Sequence, residues 1–271
     1  MATQERSTDI SELFVASVQE AKRHGIRQRR SGFPTVTAVI PALNEAPNLP
    51  HVLPKLEGLV DEVIVVDGLS KDDTVEVARR LRTDVRIVEE KTPGKGAALR
   101  RGFAEATGDI IVMLDADGST DPHEIPGFVG LLASGFDFVK GSRFLHGAGT
   151  SDMPLVRRLG NAALTRLVRI LFGGRYTDLC YGYNAFWADV LPQLELDADG
   201  FEIETVMNIR ALRAGLRVVE VASFEAERIH GEAKLRAIPD GWRVAKTIFR
   251  ERFLARRLPH RSYTARPESV G

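Results

Sequence analysis

Short apolar, β-branched runs alternate with longer helical patterns from Pro34 onward, and no other feature of the sequence constrains the fold as strongly. The runs typical of strands are residues 36–40, 62–66, 85–88, 109–114 and 136–140. The helical patterns between them are residues 48–56, 73–81, 95–106 and 123–133. Strands that alternate with helices build βαβ units, so the sequence predicts an α/β fold with a mostly parallel sheet.

The chain has 271 residues, enough for one sizeable core and a smaller appendage rather than two full domains. We expect a polar leader at 1–33 with a short helix at 10–22, a catalytic domain at 34–236, and a basic amphipathic helix with a polar tail at 237–271. No secretory signal is visible, and no stretch approaches the roughly 20 apolar residues that span a bilayer. The expected location is the cytoplasm, including the inner face of the membrane.

Charge and cysteine content exclude several classes of function. Lys plus Arg and Asp plus Glu each number 37, so the formal net charge is zero and no global attraction to nucleic acid is expected. Cys180 is the only cysteine, which excludes an internal disulfide and a metal site built from several thiolates.

Polar residues follow the first two predicted strands, where ligands bind in parallel α/β sheets. Pro41, Ala42, Asn44 and Glu45 follow the first strand, and Asp67 and Gly68 follow the second. A carboxylate such as Asp67 accepts hydrogen bonds from the N–H of a base or from ribose hydroxyls, and a glycine lets a ligand approach the backbone closely. The neighbouring residues 70–73 are also typical of a cap for the next helix.

A third acidic cluster, Asp115 and Asp117, follows the fourth predicted strand. Two carboxylates spaced i and i+2 can hold one Mg²⁺ or Mn²⁺ together with substrate phosphates, although an isolated pair is also typical of an acidic turn. Three polar clusters at one sheet edge favour the ligand site. Lys95, between two glycines at a helix start, is either a phosphate contact or part of a turn.

Several motifs together resemble those of family 2 glycosyltransferases, which have the GT-A fold. On the donor side they are the residues at 41–45, 66–68, 94–96 and 115–117. The segments 177–183, 200–204 and 228–235 are similar to the dolichol- and polyprenyl-phosphate sugar transferases. The resemblance extends over roughly residues 36–235 and depends on the order and spacing of the motifs. It implies an inverting hexosyltransferase that uses a UDP- or GDP-sugar, a divalent metal ion and a polyprenyl-phosphate acceptor.

The resemblance also implies a role for individual positions. The donor-binding residues would be Pro41, Ala42, Asn44, Glu45, Asp67, Gly68, Lys95, Asp115, Ala116 and Arg143. Metal ligands would be Asp115, Asp117 and His230, and the acceptor side would include Asp178, Tyr181 and Glu202. Asp117, Arg228 and Lys234 would take part in catalysis, the two basic residues through phosphate oxygens. Glu204 is a further catalytic candidate because of its own carboxylate, not because of the resemblance.

Glu204 departs from the branch, which usually carries glutamine there, and Ala233 stands where serine is usual. If the segment is extended, Glu204 lies on the same face as Glu202 and serves as general base toward a hydroxyl acceptor. A carboxylate favoured by a helix N-terminus is the alternative. The other functional hypotheses are therefore a glycosyltransferase with a soluble hydroxyl acceptor and a nucleotide-sugar-binding protein without catalysis.

Basic and apolar residues alternate at helical spacing over residues 242–258. Such a helix is typical of contact with an anionic membrane surface, but its apolar face is also suited to packing on the catalytic domain or to a homodimer. A second basic helix is predicted at 157–169, with the same alternatives.

Overall fold

The computed structural model describes residues 32–151, 153–231 and 237–254. A seven-stranded sheet forms its centre. The strands are β1 (Val36–Ala42), β2 (Glu62–Asp67), β3 (Arg86–Glu89), β4 (Ile110–Met113), β5 (Phe138–Ser142), β7 (Asn184–Trp187) and β8 (Val218–Ala222), in the spatial order β3-β2-β1-β4-β7-β5-β8. The short strands β6 (Gly149–Thr150) and β9 (Phe224–Glu225) form a separate parallel pair.

Helices cover both faces of the sheet. They are α1 (Thr74–Leu81), α2 (Lys95–Glu105), α3 (Ile125–Ala133), α4 (Leu155–Phe172), α5 (Leu191–Leu194), α6 (Ile203–Arg213) and α7 (Ala237–Leu254). Alternate side chains of β1 point to opposite faces, so Ala38 and Ile40 join the cluster beneath α1 and α3, and Val39 joins the cluster beneath α2 and α6. The predicted α/β fold with a mostly parallel sheet is confirmed.

One strand of the sheet runs against the others. β7 pairs antiparallel with both β4 and β5, whereas the remaining pairs in the sheet are parallel. The start of β7 therefore lies at the same edge as the carboxyl ends of its neighbours. The loop at 173–183, which enters β7, reaches this edge as well.

Two of the predicted helices differ from the helices in the structure. Residues 48–56 form two 3₁₀ turns, Leu49–His51 and Leu53–Leu56, because Pro50 and Pro54 remove backbone donors and interrupt a continuous α-helix. The stretch predicted at 123–133 starts with a 3₁₀ turn, Pro122–Glu124, before α3. The helix predicted at 10–22 and the tail from 260 lie outside the described residues.

The C-terminal helix α7 packs on α4 and α6. Val244 and Ile248 are buried against Val168 of α4 and Ile209 of α6. Glu251, which is fully buried, forms ion pairs with the guanidinium groups of α6. One face of this basic helix therefore belongs to the domain. None of the helices in the described ranges combines the length and the apolarity needed to cross a membrane.

Candidate active site

The donor-side loops follow β1 and β2 at the carboxyl edge of the sheet. Ala42 pairs with Asp67, and the Gly68 amide donates to the Ala42 carbonyl over 2.9 Å. Asp67 is 7% exposed, and its carboxylate oxygens lie 3.2 and 3.4 Å from the Ser70 amide. The carboxylate that the sequence predicts to bind the base or ribose is therefore held in one orientation at this edge.

Asn44 joins the two donor-side loops. Its amide donates to Ser70 Oγ over 2.9 Å, and its side-chain oxygen accepts from the Lys71 amide over 2.7 Å. Asn44 and Leu69 have φ angles of 52° and 65°, a left-handed conformation that non-glycine residues adopt mainly where the surroundings enforce it. Through these contacts Asn44 stabilises the conformation of the two loops, next to the residues predicted to bind the donor.

Asp115 lies at the same edge as Asp67. It follows Met113 by two residues, and Met113 pairs with Val39, so Asp115 is level with Pro41 of the neighbouring strand. The parallel order β2-β1-β4 thus brings the acidic groups after β2 and β4 to the two sides of the end of β1. This is the convergence that the sequence predicts.

Asp117 is a largely buried carboxylate with two kinds of partner. Its Oδ1 accepts from the amide and the hydroxyl of Ser119 at 3.0 and 2.7 Å, and its Oδ2 lies 3.3 Å from Arg228 Nη2. Burial and the nearby charge of Asp115 raise the pKa of Asp117, although Ser119 and Arg228 act in the opposite direction. Burial is the larger of the two causes that raise this pKa.

Lys95 bridges Asp115 and Glu204. Its Nζ lies 2.6 Å from Asp115 Oδ1 and 2.7 Å from Glu204 Oε1. Burial opposes the charged ammonium, but the two carboxylates outweigh it and raise the pKa of Lys95. Burial, followed by the charge of Asp115, raises the pKa of Glu204 despite the ammonium. One cation therefore holds a carboxylate from the donor side and a carboxylate of α6 together.

Three glycines allow this close packing. A Cβ on Gly182 would lie 2.7 Å from Lys95 Nζ and 2.8 Å from Glu204 Oε1. Gly94 and Gly96 pack against the backbone around Asp199 so tightly that a Cβ on either would overlap its carbonyl region. Lys95 therefore lies in a tightly packed turn that orients its side chain. Gly182 is a site residue that the sequence interpretation missed.

Glu204 and Glu202 do not lie on a strand. Glu202 immediately precedes α6 and accepts from the Gly200 amide over 3.3 Å, and Glu204 lies in the first turn of that helix. The expectation of an extended segment was wrong, and the alternative of a carboxylate at a helix N-terminus is confirmed. Helical geometry separates the two side chains, so only Glu204 reaches Lys95.

Arg143 is tied to protein carboxylates. Its side chain is 2% exposed, and it binds both oxygens of Asp178, at 2.7 and 2.9 Å, and the carboxylate of Glu225. Its guanidinium also lies over the ring of Tyr181 at 4.7 Å. Asp178 is fully buried and Tyr181 is 3% exposed. These contacts favour a structural role for Arg143, and they give Asp178 and Tyr181 partners within the protein, so the acceptor roles of these two residues stay predictions.

A pocket of 80 Å³ lies between α4, α6 and α7, next to Glu204. Arg143, Arg157, Asn161, Cys180 and Asp240 supply polar lining groups, and the apolar lining consists of Met153, Val156, Leu164, Phe201 and Val244. The Asn161 side chain is 5% exposed and its Nδ2 has no hydrogen-bond partner among the described residues. A buried amide without a partner in the protein is costly, so Asn161 Nδ2 is a candidate donor to a ligand or water.

Arg157 and Asn161 of this pocket were not predicted as site residues. The sequence shows only a basic helix at 157–169, and its periodicity does not indicate which turn faces the core. Their i, i+4 spacing places both on one face of α4.

Glu45 binds Arg228. Its oxygens lie 3.2 and 3.0 Å from Arg228 Nη1, and its Oε2 accepts from Asn48 Nδ2 over 2.6 Å. Glu45 is 4% exposed. Its carboxylate thus orients a predicted catalytic arginine, which differs from the expected role of lining the nucleotide pocket.

The residues at this edge suit a divalent cation. Asp115, Asp117 and Glu204 contact only Lys95 and Arg228 as cations among the described residues, and Arg228 is shared with Glu45. Carboxylates therefore outnumber cations, and oxygen ligands on one short loop fit Mg²⁺ or Mn²⁺.

A third metal ligand is not in place at this loop. No group of three or more His, Cys, Asp and Glu side chains in the described ranges is arranged to hold a metal ion, so His230 does not complete the predicted set with Asp115 and Asp117. Its ring instead packs on His51, with 5.7 Å between centroids. Lys234, the remaining predicted catalytic residue, lies outside the described residues.

Comparison with known proteins identifies similar sequences. The sequence profile described as glycosyl transferase family 2 matches residues 37–193. The undecaprenyl-phosphate mannosyltransferase of Micrococcus luteus is 35% identical over 212 residues, which cover 74% of this chain and 87% of that protein. The dolichol-phosphate mannosyltransferase of Pyrococcus furiosus is 33% identical over 229 residues, which cover 79% of this chain and 60% of that protein.

Solved structures of glycosyltransferases are also similar. Glucosyl-3-phosphoglycerate synthase from Mycobacterium tuberculosis, in complex with Mn²⁺, UDP and glucosyl-3-phosphoglycerate, has a TM-score of 0.68 and 27% identity, over 92% of this chain and 86% of that chain. The same enzyme with Mg²⁺ and UDP has a TM-score of 0.67 and 25% identity, over 95% and 86% of the two chains. These likenesses agree with the GT-A fold expected from the sequence.

Proposed function

Since the chain belongs to glycosyl transferase family 2, we propose that it moves a hexose from a UDP- or GDP-sugar to a polyprenyl phosphate, with inversion at the anomeric carbon. The observation that carries the proposal is the shared edge of Asp67 after β2 and of Asp115 and Asp117 after β4. The bond between the anomeric carbon and the diphosphate breaks while a bond to an acceptor oxygen forms. The nucleoside diphosphate leaves.

On the donor side, Asp67 and the backbone around Ala42 and Gly68 would hold the nucleoside. Asp115 and Asp117 would bind Mg²⁺ or Mn²⁺, and a bound ion of this kind neutralises the negative charge of a departing diphosphate. Arg228, which lies 3.3 Å from Asp117, would contact the same diphosphate. Preorganised charges of this kind stabilise a leaving group because they need not reorient during the reaction.

On the acceptor side, the lining of the pocket beside Glu204 is suited to binding a lipid phosphate. The free Nδ2 of Asn161 and the guanidinium of Arg157 supply donors for phosphate oxygens, and Val156, Leu164 and other apolar side chains supply a wall for the first isoprene unit. Glu204 also lines this pocket, which supports the second candidate, a hydroxyl acceptor with Glu204 as general base. The two candidates differ because a phosphate acceptor is already ionised and needs no base.

The outer surfaces of α4 and α7, two helices that line this pocket, support contact with a membrane surface. Leu155, Val156 and Leu159 of α4 and Ile238 and Trp242 of α7 are all exposed apolar side chains. Basic residues lie among them in the same helical turns, namely Arg157, Arg158, Arg243 and Lys246. Exposed apolar and basic groups together favour an anionic bilayer, where a polyprenyl phosphate would be available.

We expect release of UDP or GDP from one member of a panel of sugar nucleotides only when polyprenyl phosphate and Mg²⁺ or Mn²⁺ are both present. Chelation with EDTA should abolish release, and readdition of the metal should restore it. Release should be faster with the acceptor in anionic than in zwitterionic vesicles. Full activity with a soluble hydroxyl acceptor that is lost in Glu204→Gln would instead establish the second candidate. Binding of a sugar nucleotide without release of UDP or GDP would indicate a binding protein without catalysis.

Arg157→Gln should raise the KM for polyprenyl phosphate by at least about ten-fold, because it removes one charge-assisted contact worth roughly 1.5–3 kcal/mol. The KM for the sugar nucleotide should change by less than about two-fold, since the pocket is separate from the donor-side loops. Arg166→Gln, nine residues along α4, is the matched control because that side chain is exposed and does not line the pocket. Equal effects of the two substitutions would contradict the assignment of the pocket.

A further inference from the structure

One segment of the chain crosses over the Asp115–Asp117 loop, and we call residues 226–231 the crossing segment. The Ala226 amide donates to the Ser119 carbonyl over 2.8 Å, and the Ile229 amide donates to the Asp117 carbonyl over 3.3 Å. Gly118, with a φ of 79°, allows the close approach, since a Cβ there would lie 2.5 Å from Ile229 Cδ1. The crossing segment is therefore in direct contact with the loop that carries the carboxylates.

Asn48 fastens the crossing segment from the other side. Its Oδ1 accepts from the His230 amide over 2.9 Å, and its Nδ2 donates to the His230 carbonyl over 3.2 Å. The side-chain amide thus pairs with the main chain of a residue 182 positions away. Asn48 is 1% exposed, so the loss of these bonds would not be compensated readily by water.

The same side chain orients the partner of Arg228. Asn48 Nδ2 also donates to Glu45 Oε2, and the Glu45 carboxylate binds Arg228 Nη1 at 3.2 and 3.0 Å. Arg228 then points its second terminal nitrogen toward Asp117. Asn48 therefore controls both the main chain beside Arg228 and the carboxylate that holds its guanidinium.

We propose that Asn48 is a positioning residue for sugar transfer: it fastens the crossing segment so that Arg228 faces Asp117 and the leaving diphosphate. The role in transfer rests on the proposed function, whereas the fastening does not. Asparagine is required because only an amide both accepts from a main-chain N–H and donates to a carbonyl and a carboxylate. Aspartate would keep the acceptor but would lose both donations and add a charge next to Glu45.

Amide hydrogen exchange tests the fastening without turnover. In Asn48→Ala, the His230 amide should exchange about ten-fold faster, which is the effect of losing one net hydrogen bond. The Ala226 amide is the internal control, because its bond to Ser119 is unchanged and its exchange should shift less than about two-fold. Equal acceleration at both amides, or none at either, would overturn the proposal.

Kinetics test the action through Arg228. Asn48→Ala should lower kcat/KM about ten-fold in the otherwise unchanged chain and less than about two-fold in the Arg228→Ala background, since the positioned group is then absent. Thr37→Val, a buried hydrogen-bonding residue at the opposite end of β1, should act equally in both backgrounds. Additive effects of Asn48→Ala and Arg228→Ala would overturn the proposal. If no donor is turned over, the proposed function fails, and the exchange measurement still decides the fastening.

Discussion

Asp117→Asn should lower turnover by about 1,000-fold or more while the protein remains folded, because it removes one of two carboxylates proposed to hold the divalent ion at the leaving diphosphate. Asparagine keeps an oxygen that can accept from the Ser119 amide and hydroxyl, so the turn after β4 should keep its shape. The expected change in melting temperature is therefore small. Turnover and calorimetric unfolding of the same preparation give both quantities.

The matched control for this substitution is Asp121→Asn, four residues further along the same loop. Asp121 caps a 3₁₀ turn through the His123 amide and is largely exposed, so its carboxylate serves local structure. Its substitution should change turnover by less than about two-fold. Turnover of Asp117→Asn comparable to that of the unaltered protein would refute the assigned metal-binding role, and equal loss in both variants would point to damage to the loop.

Lys95→Met should have the second largest effect, on both turnover and stability. The substitution leaves Glu204, which is buried, and Asp115, which is partly buried, without the ammonium that now bridges them. Removal of one partner from a buried ion pair typically costs about 3–5 kcal/mol of the free energy of unfolding. Turnover should fall at least about 100-fold, because Asp115 also loses the contact that orients it. Denaturant unfolding and nucleotide release measure the two effects.

The stability loss in Lys95→Met should depend on pH. Burial already raises the pKa of Glu204, and loss of the ammonium should raise it further. A carboxyl group with a raised pKa in the folded state stabilises the fold at low pH, and this contribution disappears as the pH rises through that pKa. The deficit relative to the unaltered protein should therefore be smaller at about pH 5 than at about pH 8.

Two further variants control the Lys95 experiment. Adding Glu204→Gln to Lys95→Met should recover about 1–2 kcal/mol, since one of the two unpaired carboxylates is then neutral. Arg101→Met removes a surface ion pair with Glu105 on the same helix and should cost no more than about 1 kcal/mol. Without any recovery in the double variant, the bridge would not be the source of the stability loss.

The sequence predicts the parallel part of the fold well because the pattern of apolar residues in each strand and helix there is visible in the local sequence. β1, β2 and α2 consist of continuous apolar runs or of apolar positions at helical spacing, and their bounds differ from the predicted ones by no more than two residues. β7 was missed, since its four residues, Asn184–Trp187, are too few to show alternation. Its direction depends on pairing with β4 and β5, which no local pattern specifies.

The residues of the candidate site likewise fall into those that the sequence predicts and those that it does not. Asp67, Asp115 and Asp117 could be predicted because strand ends of a parallel sheet meet at one edge. The bridge between Lys95 and Glu204 could not, since its members are 109 positions apart and come together only when α6 packs on the sheet. The burial of Arg143 is likewise decided by Asp178 and Glu225, which arrive from other parts of the chain.

The reversed direction of β7 has a consequence for how such an enzyme can diversify. The strands β1 to β4 and their loops carry the groups proposed for the nucleotide, whereas the pocket proposed for the acceptor is formed by helices and a loop encoded after β5. Because β7 is antiparallel, the loop that leads into it lies at the same edge of the sheet as the loops that follow β1, β2 and β4. Evolution can therefore exchange the receiving substrate while the nucleotide-recognising half stays as inherited.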